Sequence, residues 1–382
     1  MNRRRFLGAG CSCSLGALPL FAMAQEPWQA PPRFERPDTA SDEGGLWAMM
    51  DREETKLRRS PFNLRDPQLQ PYVHDIACRL GGDHCPDIRV YLVRTPFFNA
   101  SMAPNGMMQV WSGLMLRVDN EAQLAAVLGH EIGHYLERHS LERLRSAKQS
   151  SAIGQFAGMF GVVGLIGAMG LVASSYAYSR DNERDADRIG VLLMNRAGYD
   201  ASEASKVWAN LRLEVIARPN GSSRNPLFAT HPASEEREET LKELAASLKG
   251  GVANEDAWQQ KTAPHRRQWL QEEVKRGQHE ESIAFLTRAS ARLHGKADYL
   301  WARGEVYRLR AGDGDFDAAL KDFQAAVAAG GEPPETHRGL GLAYRSTQRA
   351  AEARASFERY LQVAPDAADA PMIKSYIQEL SV

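Results

Sequence analysis

The sequence lacks an excess of charge of either sign. Over 382 residues, 47 lysines and arginines stand against 48 aspartates and glutamates, which gives a formal net charge of −1. This balance offers no basic surface large enough for nucleic acid, so we expect no nucleic-acid partner. Apolar residues make up 43% and charged residues 25% of the chain. These fractions exclude a collagen-like, wholly disordered or polytopic membrane protein, and the length favours two or three domains.

Cysteine is also scarce. Two of the four cysteines lie within the first 24 positions, which leaves Cys78 and Cys85 around a short loop with two glycines. In an oxidising compartment an even pair favours a disulfide, and a glycine-containing loop closes easily. Two alternatives stay open: a pair of free thiols, and a metal site that adds His84 but lacks the usual second cysteine pair.

The chain begins with features of an export signal. Three arginines at positions 3–5 precede an apolar stretch over 6–23, and Ala22-Met23-Ala24 fits a small-x-small cleavage site. We therefore predict a signal peptide over 1–24 and a periplasmic mature protein. The arginines followed by Phe6-Leu7 resemble a twin-arginine signal, and an ordinary signal peptide is the alternative. Residues 25–44, rich in proline, are predicted to be a flexible lead-in.

The strongest local signal is a metal-binding pentad, His130-Glu131-Ile132-Gly133-His134. Two histidines four residues apart on a helix lie about 40° apart around its axis and roughly 6 Å apart along it, so both imidazoles can reach one ion. Glu131 lies beside them, where it can take a proton from a zinc-bound water. Asn120 and Gln123 form a capping-box pattern that predicts the start of this helix, which we expect to run past Arg143.

A catalytic zinc ion needs three protein ligands and one open position. Glu183 and Asp187 are four residues apart and share a helix face. Glu183 can bind the metal, while Asp187 can hold a ligand histidine by its other ring nitrogen.

A metzincin site is excluded, because the positions of its glycine and third histidine hold Glu137 and Ser140. His139 lies five residues after His134, and on a continuous helix it would point away from the metal. We therefore expect His139 to be a surface or packing residue.

These motifs resemble peptidase family M48, the HtpX-like and Oma-like group. The resemblance rests on the pentad with the nearby His139, on Tyr178-Ser179-Arg180 leading to Glu183-x-x-Ala186-Asp187, and on Asn99-Ala100, Gly106 and Ser112-Gly113-Leu114 ahead of the metal helix. It implies a mainly α (α+β), zincin-like metallopeptidase domain with a small β-sheet. It also implies one zinc ion on His130, His134 and Glu183. Glu131 would then be the general base, and Asp187 an acid that orients a ligand or donates a proton.

Beyond residue 256 the chain is predicted to be helical and repetitive. Tetratricopeptide offsets recur in two copies: Gly304, Tyr307, Ala319, Phe323 and Ala326, then Leu340, Gly341, Tyr344, Ala353, Phe357, Tyr360 and Pro365. We predict a tetratricopeptide-repeat domain over 257–382 that binds protein partners in a concave groove. A generic array of helical hairpins is the alternative. Together with the export signal, the repeats resemble the periplasmic BepA-type branch of the family, which acts in outer-membrane protein quality control.

Two further side chains are candidates for the peptidase site. His231 lies in the proline-flanked loop Ala229-Thr230-His231-Pro232. It could donate to the oxyanion, occupy the open position of zinc and hold the enzyme off, or have no role. Tyr178 is a second candidate oxyanion donor.

Residues 152–178 have no charged side chain and are long enough to cross a bilayer. A single crossing would put the pentad and Glu183 on opposite sides of about 30 Å of hydrocarbon, so a shared zinc ion excludes it. The segment is instead predicted to be a mobile apolar lid or a hairpin that contacts the membrane surface.

The sequence thus predicts a zinc metallopeptidase domain over 45–250 joined to the repeats. We expect an endopeptidase that hydrolyses polypeptide substrates, with misfolded or stalled outer-membrane proteins as the class that the resemblance implies. The Met107–Trp111 strand is predicted to pair with extended substrates at a sheet edge. The alternative is a repeat-based chaperone or assembly factor for envelope proteins, with a secondary or regulated protease site.

Overall fold

The computed structural model describes residues 28–149, 178–218, 231 and 235–380. Helices dominate, and one small four-stranded sheet accompanies them, which confirms the predicted fold class. The predicted signal peptide and residues 152–177 lie outside the described residues. The described residues from Pro32 onwards form one compact unit. Among the described residues, no helix has both the length and the apolar character needed to span a membrane.

The first part of the chain combines helices with the sheet. Its helices are α1 (Asp42–Arg59), α2 (Leu69–Gly81), α3 (Ser112–Arg117), α4 (Glu121–Leu136), α5 (His139–Gln149), α6 (Arg180–Arg196), α7 (Glu203–Ile216) and α8 (Glu235–Ala246). Its strands are β1 (Asn63–Leu64), β2 (Arg89–Val93), β3 (Ala100–Met102) and β4 (Met107–Trp111). The Cys78–Cys85 disulfide is present, which confirms the predicted pairing and links α2 to the 3-10 turn Gly82–Asp87.

The sheet has the order β1-β2-β4-β3, in which β2 and β4 are parallel and the other two pairs antiparallel. The prediction that Met107–Trp111 lies at an edge is wrong, because β4 pairs on both sides. All five of its residues are buried, as expected for a strand without polar alternation that is covered on both faces. The edge strand beside β4 is β3.

Helix α4 carries the pentad through the centre of the molecule. The Asn120 side chain accepts a hydrogen bond from the Gln123 amide at 2.9 Å, which confirms the predicted cap, and every residue of α4 is buried. The helix ends at Leu136, so the prediction that it runs past Arg143 is wrong. Arg138 has a left-handed backbone conformation with φ 57°, and this turn starts α5 in a new direction.

Helices α4 and α6 pack closely because glycines face each other across the contact. A Cβ atom on Gly129 would lie 3.0 Å from the Gly190 carbonyl oxygen, and one on Gly190 would lie 2.9 Å from the His130 amide nitrogen. The same holds at Gly133, where a Cβ would lie 3.0 Å from the Ala186 carbonyl oxygen. These contacts bring the backbone of the pentad next to the helix that carries Glu183 and Asp187.

The C-terminal part is made of helices that pack as successive pairs. They are α9 (Glu255–Lys275), α10 (His279–Arg292), α11 (Lys296–Arg310), α12 (Asp315–Ala329), α13 (Glu335–Ser346), α14 (Ala350–Val363) and α15 (Ala370–Glu379). A Cβ on Gly304 of α11 would lie 2.6 Å from the Phe323 ring, and one on Gly341 of α13 would lie 2.4 Å from the Phe357 ring. The same glycine–aromatic contact therefore closes two consecutive helix pairs.

Candidate metal centre

Four side chains from three segments converge at the contact of α4 and α6. His130 and His134 come from α4, Glu183 from α6, and His231 from the chain that precedes α8, and their potential ligand atoms all lie within 4.8 Å of one another. The Nε2 atoms of His130 and His134 are 3.1 Å apart. A Glu183 carboxylate oxygen lies 3.4 Å from the His134 Nε2 atom. Because all four residues are at least nine-tenths buried, the cluster is largely shielded from bulk water.

The second ring nitrogen of His130 has a carboxylate partner. Its Nδ1 atom lies 2.8 Å from Asp187 Oδ1, so Asp187 can accept the Nδ1 proton and leave the Nε2 lone pair facing the cluster. Arg237 of α8 donates to the same Asp187 oxygen at 2.6 Å, and its other terminal nitrogen lies 3.3 Å from Glu183. The Arg237 guanidinium stacks on Trp208 at 3.6 Å, which fixes its position. Arg237 therefore contacts both Asp187 and Glu183.

His134 is held on two sides. Its Nδ1 atom lies 2.8 Å from the Nδ1 atom of His139, a residue that is only 5% exposed. The expectation that His139 is a surface or packing residue away from the metal face is therefore wrong, because the left-handed turn at Arg138 swings His139 back towards His134. On the other side, the Tyr178 ring stacks on His134 with centroids 3.9 Å apart, and its hydroxyl lies 3.2 Å from Ser140.

His231 lies inside the cluster. Its Nδ1 atom is 2.7 Å from a Glu183 oxygen and 3.1 Å from His130 Nε2, while its Nε2 atom is 3.6 Å from Glu131. It thus contacts two predicted ligands and the predicted base.

The residues fit a zinc ion. Two imidazoles and one carboxylate are a catalytic zinc donor set. The Nδ1 atoms of His130 and His134 both have partners, so their Nε2 atoms present two lone pairs to each other, an arrangement that a cation between them would stabilise. One buried Glu183 oxygen also accepts no hydrogen bond from the residues that the structure describes. The centre is therefore a zinc centre by its chemistry.

The environment sets the charge of the two carboxyl groups beside the ligands. Burial raises the pKa of Glu131, and within the described part of the chain one of its oxygens has no hydrogen-bond partner. Burial also acts to raise the pKa of Asp187, but the Arg237 guanidinium and the bond from His130 outweigh it and lower that pKa. Asp187 is thus held as a carboxylate, whereas Glu131 is easier to protonate.

The structure brings together all six site residues expected from the sequence: His130, Glu131, His134, Glu183, Asp187 and His231. Arg237 was not predicted, because no local sequence signal marks it. The prediction for His139 was wrong, because this residue has a signal only as part of the family pattern.

Comparison with known proteins agrees with this geometry. Residues 63–245 match the model of peptidase family M48. The match includes the four clustered side chains as well as Glu131, Asp187 and Arg237.

Several curated proteins are similar to this chain. A putative beta-barrel assembly-enhancing protease of Vibrio cholerae is 29% identical over 47% of the chain and 40% of its own length. The beta-barrel assembly-enhancing protease of Escherichia coli K12 is 29% identical over 48% of the chain and 40% of its own length. The mitochondrial metalloendopeptidase OMA1 of Arabidopsis thaliana is 30% identical over 40% of the chain and 30% of its own length. The chain thus spans less than half the length of these relatives.

Proposed function

We propose that the chain, whose residues 63–245 match peptidase family M48, is a zinc-dependent endopeptidase acting on proteins of the cell envelope. The observation that carries this proposal is the convergence of His130, His134 and Glu183 beside a buried Glu131. The names of the bacterial relatives support the substrate class, because they refer to the assembly of beta-barrel proteins. We propose misfolded or stalled outer-membrane proteins as substrates.

The roles of the residues follow from their contacts. His130, His134 and Glu183 would hold the metal, which when bound supplies Lewis-acid chemistry and makes water a better nucleophile near neutral pH. Glu131 has a raised pKa and a carboxylate oxygen that accepts no hydrogen bond from the described residues, so it is suited to take a proton from the attacking water and return it to the leaving amine. Asp187 stays ionised beside Arg237, which favours orientation of His130 over proton donation.

The first test separates chemistry from folding. Glu131→Gln should abolish casein degradation while one zinc per chain remains bound, because Glu131 is a base and not a ligand. The matched control is Glu239→Gln on α8, an exposed side chain that should keep both activity and zinc. Degradation by Glu131→Gln at the wild-type rate would contradict the proposal. Glu183→Ala should lose the zinc itself, measured by metal analysis, and retention of stoichiometric zinc would overturn the third-ligand assignment.

We further propose that His231 closes the metal centre in the resting state. The distances from its Nδ1 atom to Glu183 and His130 are those of a fourth member of the ligand cluster. His231→Ala should then keep zinc and raise the rate of casein degradation severalfold, because the position for water becomes free. A fall in rate with zinc still bound would instead favour the role of His231 as an oxyanion donor.

The second candidate function is that of a repeat-based chaperone or assembly factor. It is supported by the recurrent glycine–aromatic contact of the C-terminal helix pairs, which suits a tetratricopeptide array that binds protein partners. The Glu131→Gln variant distinguishes the two functions. If envelope-protein assembly in cells survives this substitution while casein degradation is lost, the chaperone role is primary.

The location is part of the same proposal. The arginine-led apolar segment at the start of the sequence supports export to the periplasm, with contact between residues 152–178 and the membrane surface. Fractionation of cells, followed by a salt wash of the membranes, tests both. Recovery of the protein in the cytoplasmic fraction would contradict export.

A further inference from the structure

His139 owes its position to the break between α4 and α5. On an uninterrupted helix, residues five apart differ by about 140° around the axis, which would turn His139 away from the metal face. The left-handed Arg138 interrupts the helix, and two contacts fix this residue: an ion pair with Glu43 and stacking of its guanidinium on Phe34 at 5.2 Å. The turn is therefore built into the packing of the N-terminal segment.

The contact that results joins two imidazoles edge to edge. The Nδ1 atoms of His134 and His139 are 2.8 Å apart, and their ring planes are inclined by 70°. Only one of the two nitrogens can carry the proton in such a hydrogen bond. His134 turns its Nε2 atom towards His130 and Glu183, where a metal ligand needs a free lone pair, so its proton must lie on Nδ1.

We propose that His139 is a positioning residue for zinc, whose Nδ1 accepts the Nδ1 proton of His134 and thereby fixes the tautomer and ring orientation of that ligand. His139 then carries its own proton on Nε2. This inference rests on the proposed zinc-dependent function. The two ligand histidines then have hydrogen-bond partners of different charge, because His130 is held by the ionised Asp187 and His134 by a neutral imidazole.

The test compares three variants of the full-length mature protein by their zinc affinity, measured by competition with a chromogenic chelator. His139→Phe keeps a ring but removes the acceptor, and partners of this kind usually contribute about 10- to 100-fold to metal affinity. His139→Asn offers a side-chain oxygen near the position of Nδ1 and should recover most of that loss. The control His337→Phe replaces a buried histidine of the repeat region and should leave zinc affinity unchanged.

A spectroscopic readout separates positioning from a purely structural role. In zinc-loaded protein with ¹⁵N-labelled histidine, we expect the His134 Nδ1 proton signal in wild type and His139→Asn, and its loss by exchange in His139→Phe. The proposal is overturned if His139→Phe binds zinc as tightly as wild type, or if His139→Asn binds it no better than His139→Phe. If His139→Phe fails to fold, the comparison of His139→Asn with His139→Leu decides. Failure of the wild type itself to bind zinc would instead overturn the proposed function.

Discussion

Two glutamates within the same centre are shifted in opposite directions by their surroundings. Burial dominates at Glu131 and raises its pKa. At Glu183 burial acts in the same direction, but the imidazoles of His231, His134 and His130 outweigh it and lower the pKa. A carboxylate that stays ionised suits a metal ligand, and one that is easily protonated suits a general base. Their different environments thus separate the roles of two chemically identical side chains.

Away from the metal, Glu54 makes stability depend on pH. Burial acts to raise its pKa, but hydrogen bonds from Arg89 and Tyr91, each 2.7 Å long, lower it below the ordinary value. A carboxyl group with a depressed folded-state pKa stabilises the fold above its unfolded-state pKa of about 4.3 and loses that effect as the pH falls through the folded value.

Glu54→Gln should therefore lower the free energy of unfolding by about 2 kcal/mol at pH 7 and by progressively less below about pH 4. Urea denaturation of metal-free protein between pH 7 and pH 3 measures this difference. The exposed pair of Glu358 with Arg354 provides the control, because Glu358→Gln should change stability little at any of these pH values. A difference between Glu54→Gln and wild type that is constant with pH would contradict the argument.

At the scale of single residues, the sequence predicted those site residues whose spacing along a helix places their side chains together. His130 and His134, or Glu183 and Asp187, lie one helical turn apart, so their convergence follows from helix geometry. Arg237 could not be predicted, because its partners Asp187 and Trp208 lie on other helices and no spacing rule links them.

Among the secondary-structure elements, the ends of helices were the hardest feature to predict from the sequence. The start of α4 was predictable because Asn120 is a local cap, whereas its end depends on Arg138, a residue type that does not favour a left-handed turn. Contacts of Arg138 with Phe34 and Glu43, about a hundred positions earlier, hold this conformation. Likewise, the sequence predicted β4 as a strand but not its central place in the sheet, which depends on pairing with both β2 and β3.

The geometry of the metal centre depends on the close packing of helix α4 on helix α6. Gly190→Ala should push the helices apart, because the new Cβ would lie 2.9 Å from the His130 amide. Such overpacking costs about 1–3 kcal/mol, and zinc affinity should fall with it because Glu183 moves away from the histidines. Urea denaturation and chelator competition measure the two effects.

Gly45→Ala is the matched control for this substitution. Gly45 lies within α1, and no atom of the described residues lies within 4 Å of an added Cβ, so alanine there should leave zinc affinity unchanged and stabilise the helix by about 0.5–1 kcal/mol. Unchanged zinc affinity in Gly190→Ala would mean that the glycine contact does not set the ligand geometry.

Across the whole molecule, the C-terminal helices hold the start of the metal helix. Trp258 of α9 donates its indole N–H to the Val118 carbonyl oxygen at 3.1 Å, and Gln259 donates to the Asp119 carbonyl oxygen at 2.9 Å. These two carbonyls directly precede the Asn120 cap of α4. The repeated glycine–aromatic spacing was visible in the sequence because it is local, but this junction was not, since its partners are 140 residues apart.

A buried arginine joins the same two parts of the chain. Arg117, only 2% exposed, donates to Glu214 of α7 at 2.8 Å and to Glu273 of α9 at 2.7 Å. Its removal would leave two buried carboxylates without this cation, and breaking a buried ion pair in this way costs about 3–5 kcal/mol. Because Arg117 precedes the α4 cap by three residues, the loss should reach the metal helix as well as the C-terminal helices.

Arg117→Met should therefore weaken amide hydrogen-exchange protection in α4 and in α9 together, and lower zinc affinity. Hydrogen exchange with mass-spectrometric detection resolves these segments separately. Arg345→Met, which removes a surface ion pair with Glu379, should leave both segments protected as in wild type. Loss of protection confined to α9, with α4 and zinc affinity unaffected, would show that the C-terminal helices are attached to the peptidase domain without supporting its metal centre. A joint loss would mean that any partner bound to these helices has a direct structural route to the zinc ligands, through the three residues between Arg117 and the first turn of α4.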